Sequence, residues 1–223
     1  MTRELRVVFD TLLTAFGPQH WWPAKSADEM IIGAVLTQNT NWKNVEKALA
    51  GLRRQGSLAL AAIAELETGV LENLIRPSGY FRQKAKRLKS LARSVQSAGG
   101  LERLSAMPTP ALRSWLLDQP GIGPETADSI LLYAFERPVF VIDAYTLRIG
   151  RRHGWFDPAT DYTAAQTFFT RHLPEESALY NEFHALLVRL GKEFCRPKKP
   201  DCRHCPLFSL YPGPDPDSSS ARK

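Results

Sequence analysis

Apolar residues recur along this chain at spacings of three and four, the period of helices that turn one face to a core. The pattern opens at Leu5–Leu13, resumes at Met30 and continues to Leu190. Two stretches are especially regular. Pro110 to Asp118 places Leu112, Trp115 and Leu116 on one face, and Glu125 to Phe135 does the same with Ala127, Ile130, Leu131 and Ala134. The one strand-like run is Val139 to Ile142. The pattern therefore predicts a nearly all-α fold.

Between the two regular stretches lies Gln119-Pro-Gly-Ile-Gly-Pro-Glu-Thr-Ala-Asp128. Gly121 and Gly123 allow a tight turn with positive φ, Ile122 is placed to pin it to the core, and Thr126-Ala127 permits close helix packing. The predicted product is a helical hairpin whose exposed amides meet the N-terminus of its second helix. Such a terminus holds a phosphate without reading sequence. Just downstream, Asp143 follows the apolar run and precedes a helical pattern, the position of an N-cap. A helix N-terminus favours its charge, and an ionised carboxylate there can also serve chemistry.

The basic residues are unevenly spread. The chain carries 29 Lys and Arg against 23 Asp and Glu, a net charge of +6. Seven basic residues and no acidic one fall between Arg76 and Arg93. Arg82, Lys86, Lys89 and Arg93 recur at helical spacing while Leu88, Leu91 and Val95 face the other way, which predicts an amphipathic helix with a phosphate-binding stripe. Arg148, Arg151 and Arg152 are expected to extend the basic surface.

Leu117-Asp-Gln-Pro-Gly-Ile-Gly-Pro-Glu-Thr-Ala-Asp128 and Val141-Ile-Asp-Ala-Tyr-Thr-Leu-Arg148 resemble the helix-hairpin-helix and the Gly/Pro-rich loop with its Asp in the endonuclease III superfamily of DNA glycosylases. Leu36-Thr-Gln-Asn-Thr40, Gly79-Tyr-Phe-Arg-Gln-Lys-Ala85 and a C-terminal cysteine group add to the likeness, which runs from about Trp21 to Cys205. Trp21-Trp-Pro, Gly33 to Thr40, Arg76-Pro-Ser-Gly79, Gln83 to Leu88 and Trp115 to Gln119 resemble one branch in particular, the endonuclease III-like 3-methyladenine DNA glycosylases.

The resemblance implies double-stranded DNA containing damaged bases as the partner, and base excision as the activity. Where bifunctional members carry a lysine after Gly-x-Gly-x, this chain has Glu125. A carboxylate forms no Schiff base, so imine chemistry and strand cleavage are expected to be absent. Asp143 then stabilises oxocarbenium character at the sugar and orients or deprotonates the attacking water. Glu125 ranks below it, as a second negative charge or a contact to the base.

His20-Trp21-Trp22-Pro23 sets two indoles together, and Trp42 follows Thr37-Gln-Asn-Thr40. Extruded bases are read by stacking on aromatic rings, and a cationic base gains from an indole face. In the branch resembled, Trp22, Pro23 and Trp42 match the positions that sandwich the base; Trp21 is weighed equally as core filling. An alkylated purine such as 3-methyladenine is cationic and needs little protonation to leave, which suits a site with one Asp and no lysine. Gln38 and Tyr80 fall where the family fills the hole left by the extruded nucleotide, and both sit at element ends where a side chain can protrude. A hydrogen-bonded Gln and a packed Tyr are the alternatives.

All three cysteines lie in Cys195-Arg-Pro-Lys-Lys-Pro-Asp-Cys202-Arg-His-Cys205. This spacing resembles the iron-sulfur loop of endonuclease III, whose last cysteine falls here on Tyr211. A [4Fe-4S] cluster uses four thiolates, so a cluster would need Tyr211 or another fourth ligand. A loop that folds without metal is the second reading, since some members of the branch use a lysine instead, with Lys192 and Lys198 at similar positions. Zinc with His204 is awkward because Cys205 is adjacent. An odd cysteine count weighs against disulfides.

At 223 residues with 43% hydrophobic content, the chain can bury a sizeable core. No apolar run reaches membrane-spanning length, no internal repeat is seen, and the reading is a cytoplasmic, nucleoid-associated monomer. The expected architecture is the two-lobed, all-α helix-hairpin-helix glycosylase fold with a C-terminal cysteine loop. Residues 24–134 form a six-helix module with the hairpin, residues 1–23 plus 135–210 form a second lobe, Asp143 lies at the cleft, and 211–223 is a disordered tail. Two other functions stay open: an endonuclease III-type glycosylase for oxidised or mismatched pyrimidines, and a non-catalytic DNA-binding protein.

Overall fold

The computed structural model describes residues 2–210, so Tyr211 and the tail of residues 211–223 lie outside the described residues. Its helices are α1 (Arg3–Phe16), α2 (Ala27–Thr37), α3 (Trp42–Arg54), α4 (Leu60–Glu65), α5 (Thr68–Ile75), α6 (Phe81–Ser97), α7 (Gly100–Ser105), α8 (Thr109–Leu117), α9 (Pro124–Ala134), α10 (Ala144–Arg152), α11 (Tyr162–His172) and α12 (Ser177–Glu193). A short 3-10 turn, Arg76–Ser78, joins α5 to α6. Among the described residues there is no strand, and no helix is long and apolar enough to cross a membrane.

The chain divides into two compact units, one of residues 22–137 and one of residues 1–21 with 138–223. The first holds eight α-helices rather than the six expected. The surplus is α4 and α7, six residues each, too short for the apolar period to separate them from their flanking turns. At the centre of this unit is α2, where Met30, Ile31, Ile32, Val35 and Leu36 are all buried. A helix apolar on every side needs neighbours all round, and α3, α6 and α9 supply them. Ser26 caps its start by accepting from the Glu29 N–H at 3.2 Å.

In the second unit, α12 packs against α1 and α10 around an aromatic core. Phe140 stacks on Phe169 at 4.0 Å and meets Tyr180 edge-on at 5.3 Å, and Phe9 meets Phe183 at 5.4 Å. Val139 to Ile142, strand-like in sequence, is extended chain without a strand partner among the described residues. Its backbone finds a side chain instead, since the Gln166 amide donates to the Phe140 carbonyl at 2.8 Å. Burying Phe140 contributes about 2–3 kcal/mol. The run is apolar because it is an anchor, and what it anchors is the residue that follows.

Candidate active site and nucleic-acid interface

Asp143 ends that anchored segment and caps α10, with Oδ1 accepting the Thr146 N–H at 2.7 Å. Asp143 is buried, with 8% of its surface exposed, and the cap engages only Oδ1. Oδ2 stands 3.8 Å from Nε2 of His184 on α12. Burial pulls the His184 pKa down, with Asp143 opposing and Lys192 reinforcing the shift. The ring is therefore neutral near pH 7 and adds no positive charge against Asp143. Burial and Asp143 together push the Tyr145 hydroxyl pKa up, with Arg148 opposing. In this corner of α10 and α12 the carboxylate of Asp143 has a neutral imidazole beside it, with the charges of Arg148 and Lys192 acting on the surrounding side chains.

The hairpin belongs to the other unit. Gly121 has φ +80°, and Ile122 is 5% exposed. A Cβ at Gly121 would lie 2.3 Å from Arg87 Nε, so any other residue there would have to displace the Arg87 side chain as well as adopt a positive φ. Gly123 caps α9 with Pro124 at its first position, leaving the first-turn N–H groups directed outward. Glu125 is exposed in that first turn. Behind the turn, Arg113 of α8 grips Asp128 of α9 through both carboxylate oxygens, at 2.6 and 3.0 Å, and Asp128 is fully buried. The period of the apolar residues gave no sign of this pair, which locks the hairpin's two helices.

Gln38 does not project. Its Nε2 donates to the Gly121 carbonyl and to Thr126 Oγ1, both at 3.0 Å, and its Oε1 accepts from Arg87 at 2.6 Å. The expectation of a protruding side chain fails because both ends of the amide have partners on the hairpin and α6. Thr126, expected with Gly121 and Gly123 as a DNA-binding residue of the hairpin and as a small residue permitting close packing, is one of those partners. Tyr80 does project: it is 70% exposed, in the left-handed region at φ 45°, ψ 31°.

Trp22 and Trp42 come together, edge to face with centroids 5.0 Å apart. Tyr133 joins them at 5.6 Å from Trp22, a half-exposed residue of α9 that no motif marked. A Cβ at Gly33 would lie 3.2 Å from the Trp22 indole, so the glycine seats the ring. The rings make a corner rather than two parallel walls, with no slot between Trp22 and Trp42 for a base. Pro23 is exposed beside it. Trp21 belongs to the other unit, where the Lys192 ammonium lies 5.9 Å from its ring.

The basic stripe lines an open concavity of about 950 Å³ with Arg82, Lys86, Lys89 and Arg93, walled also by Glu72 and Trp115. Lys89, however, directs its ammonium at the Ala64 and Leu66 carbonyls, the end of α4. Past Asp143, Arg148 is half-buried while Arg151 and Arg152 are exposed, and all three bond backbone carbonyls. Arg148 donates to the Gly191 and Cys195 carbonyls, Arg152 to those of Arg196 and Pro197, and Arg151 to that of Thr160. Thr160 precedes α11; the other carbonyls end α12 and open the cysteine loop, where orphaned acceptors need donors.

Cys195 is buried and its Sγ lies 3.3 Å from an Arg152 nitrogen. Burial raises the Cys205 thiol pKa, and Cys195 and Cys202 add to the rise. His204 turns to Asp201 at 2.8 Å. Among the described residues no group of three or more His, Cys, Asp or Glu is disposed to hold a metal ion. Three thiols, with Tyr211 outside the described residues, do not fit the four-thiolate set of a [4Fe-4S] cluster.

Lys84 of α6 is 1% exposed, and burial followed by the Arg87 charge lowers its pKa from 10.5 to about 8. Between those two values the unfolded chain binds more protons than the folded one, so stability rises with pH across the window and is lost again as pH falls through 8. The melting temperature of the wild type, measured relative to Lys84→Met, is expected to climb from pH 8 toward 10. A difference that stays flat would mean the buried amine does not titrate in that range.

A family model described as HhH-GPD superfamily base excision DNA repair protein matches residues 32–175. The chain is 42% identical over 203 residues to "Putative DNA repair glycosylase MJ1434" of Methanocaldococcus jannaschii, covering 90% of this chain and 92% of that one. Endonuclease III of Thermotoga maritima is 32% identical over 181 residues, 79% of this chain and 78% of its own. Among solved structures, the H. pylori 3-methyladenine DNA glycosylase MagIII bound to 1,N6-ethenoadenine matches with a TM-score of 0.74 at 31% identity. That match covers 85% of this chain and 96% of MagIII.

Proposed function

Because this chain belongs to the HhH-GPD superfamily of base excision DNA repair proteins and is a DNA glycosylase of that family, we propose that it is monofunctional and releases alkylated purines such as 3-methyladenine. The observation that carries this reading is Glu125, in the first turn of α9 after Gly121-Ile-Gly-Pro. The resemblance places the attacking lysine of bifunctional enzymes there. Without an amine at that place the sugar is attacked by water.

The hairpin takes a phosphate at the α9 N-terminus. Tyr80 enters the duplex as the nucleotide leaves it, and Gln38 serves from beside the hairpin rather than as a second wedge. A cationic purine stacks on the indole corner of Trp22 and Trp42, where electron-rich faces favour its charge. As the C1′–N bond breaks, its electron pair neutralises the departing base and positive charge grows on the sugar. Asp143 stabilises that charge and takes a proton from the water whose oxygen bonds to C1′. The products are free base and an unbroken abasic strand. No step requires a metal.

Single-turnover incubation with methylated DNA and with thymine-glycol DNA, scoring free bases and strand breaks separately, tests the reading. Release of 3-methyladenine without breaks is the expected result. Breaks at thymine glycol would replace it with an endonuclease III-type activity, and silence on both substrates would leave a DNA-binding role.

A further inference from the structure

Two carbonyls at the ends of separate segments converge on the Lys84 ammonium. Nζ donates to Leu36 O at 2.8 Å and to Ser78 O at 2.7 Å. Leu36 lies one residue from the end of α2, two before Gln38; Ser78 lies two before Tyr80. Three residues further along α6, Arg87 holds the Gln38 amide, which is itself bonded to Gly121 and Thr126 of the hairpin. One turn of α6 therefore fastens the exposed Tyr80 turn to the α2 terminus and, through Gln38, to the phosphate-binding loop.

We propose that Lys84 is a positioning residue that keeps Tyr80 in register with the hairpin, so that the strand is gripped at a fixed distance from where the nucleotide is pushed out. This rests on the reading of Tyr80 as the residue that enters the duplex. The backbone of Tyr80 supports a need for restraint. A tyrosine held at φ 45° is in a strained region for an L side chain and stays there only when its surroundings impose it. Lys84 is fully covered and touches no part of a bound duplex, so its effect passes through Tyr80. A simple helix-end cap would stabilise α2 equally well but would have no reason to bond Ser78 as well.

The test reads nucleotide extrusion rather than base excision, which separates it from the choice of substrate. A duplex carrying 2-aminopurine beside a stable abasic analogue reports extrusion by fluorescence and affinity by titration. Lys84→Met is expected to bind this duplex with unchanged affinity while extrusion slows by about 10²-fold, the loss that a misplacement near 1 Å produces. Lys84→Arg, which restores the donors, should recover much of the rate. Should Lys84→Met fail to fold, Lys84→Gln takes its place, since a shorter side chain cannot reach both carbonyls.

Normal extrusion by Lys84→Met alongside slow extrusion by Tyr80→Ala would overturn the proposal and leave the glycosylase reading intact. Affinity, extrusion and thermal stability falling together, without rescue by Lys84→Arg, would make Lys84 purely structural and also overturn it. Normal extrusion by Tyr80→Ala would remove the premise and the proposal with it.

Discussion

Asp143→Asn is expected to slow base release by about 10³-fold or more while duplex affinity and melting temperature stay close to wild type. The reason lies in how the carboxylate is divided between two tasks. Oδ1 accepts the Thr146 N–H at 2.7 Å and starts α10, which an asparagine oxygen does equally well. The negative charge opposing the sugar cation is lost. His184 cannot substitute, because burial keeps it neutral, and a neutral imidazole stabilises no cation by charge. Single-turnover release and equilibrium binding measured on one preparation check the split. Unchanged release would remove Asp143 from the chemistry, and a joint fall in release and melting temperature would make it a cap alone.

Arg113→Met should destabilise the protein by about 3 kcal/mol, the range for a buried carboxylate deprived of its partner. In a protein of this size that is roughly 6–12 °C of melting temperature. Asp128 is fully buried and accepts from Arg113 through both carboxylate oxygens, so losing the guanidinium takes a charge partner from a buried carboxylate. The pair joins α8 to α9, and DNA affinity should weaken as the turn between them loosens. The double variant Arg113→Met/Asp128→Leu is expected to recover most of the stability, since replacing a buried ion pair with apolar side chains is often neutral. Calorimetry on the three proteins decides the matter. Full stability in the single variant would show that the hairpin does not depend on this brace.

What the sequence made legible is largely local. The Gly-x-Gly turn, its two helices and the capping position of Asp143 are dictated by residues within one or two turns of one another, and the structure has them where the spacing put them. Apart from the two short helices α4 and α7, the misreadings are cases of long-range partnership. Val139 to Ile142 has the composition of a strand, but Phe169, Tyr180 and Gln166, which decide its conformation, lie at least 24 positions away. Gln38 was expected to project, yet its acceptor and donor partners are on α6 and the hairpin.

Arg148 and Arg152 were expected as surface charge, and nothing nearby in sequence announces that the end of α12 lacks donors. Tyr133 joins Trp22 from more than a hundred residues away, and neither Lys84 nor the Arg113–Asp128 pair disturbs the amphipathic pattern of its helix. Period reveals which face of a helix is buried; it is silent about which buried or half-buried polar group has found which carbonyl.

The bonding of basic side chains to protein oxygens has a consequence for how ionic strength acts on this protein. Each phosphate neutralised on a duplex frees condensed counterions, contributing about −0.9 to the slope of log K against log salt. Of the seven cations between Arg76 and Arg93, Lys84, Arg87 and Lys89 already have their nitrogens directed at protein oxygens. The other four, Arg76, Arg82, Lys86 and Arg93, limit this helix and its approach to a slope near −3.6 in all, at about −0.9 each. Formal charge thus overstates the ion exchange that accompanies binding. The missing part is held by protein oxygens, at Lys84 fully buried and at Arg87 and Lys89 half-buried, where salt screens it less than on the open surface.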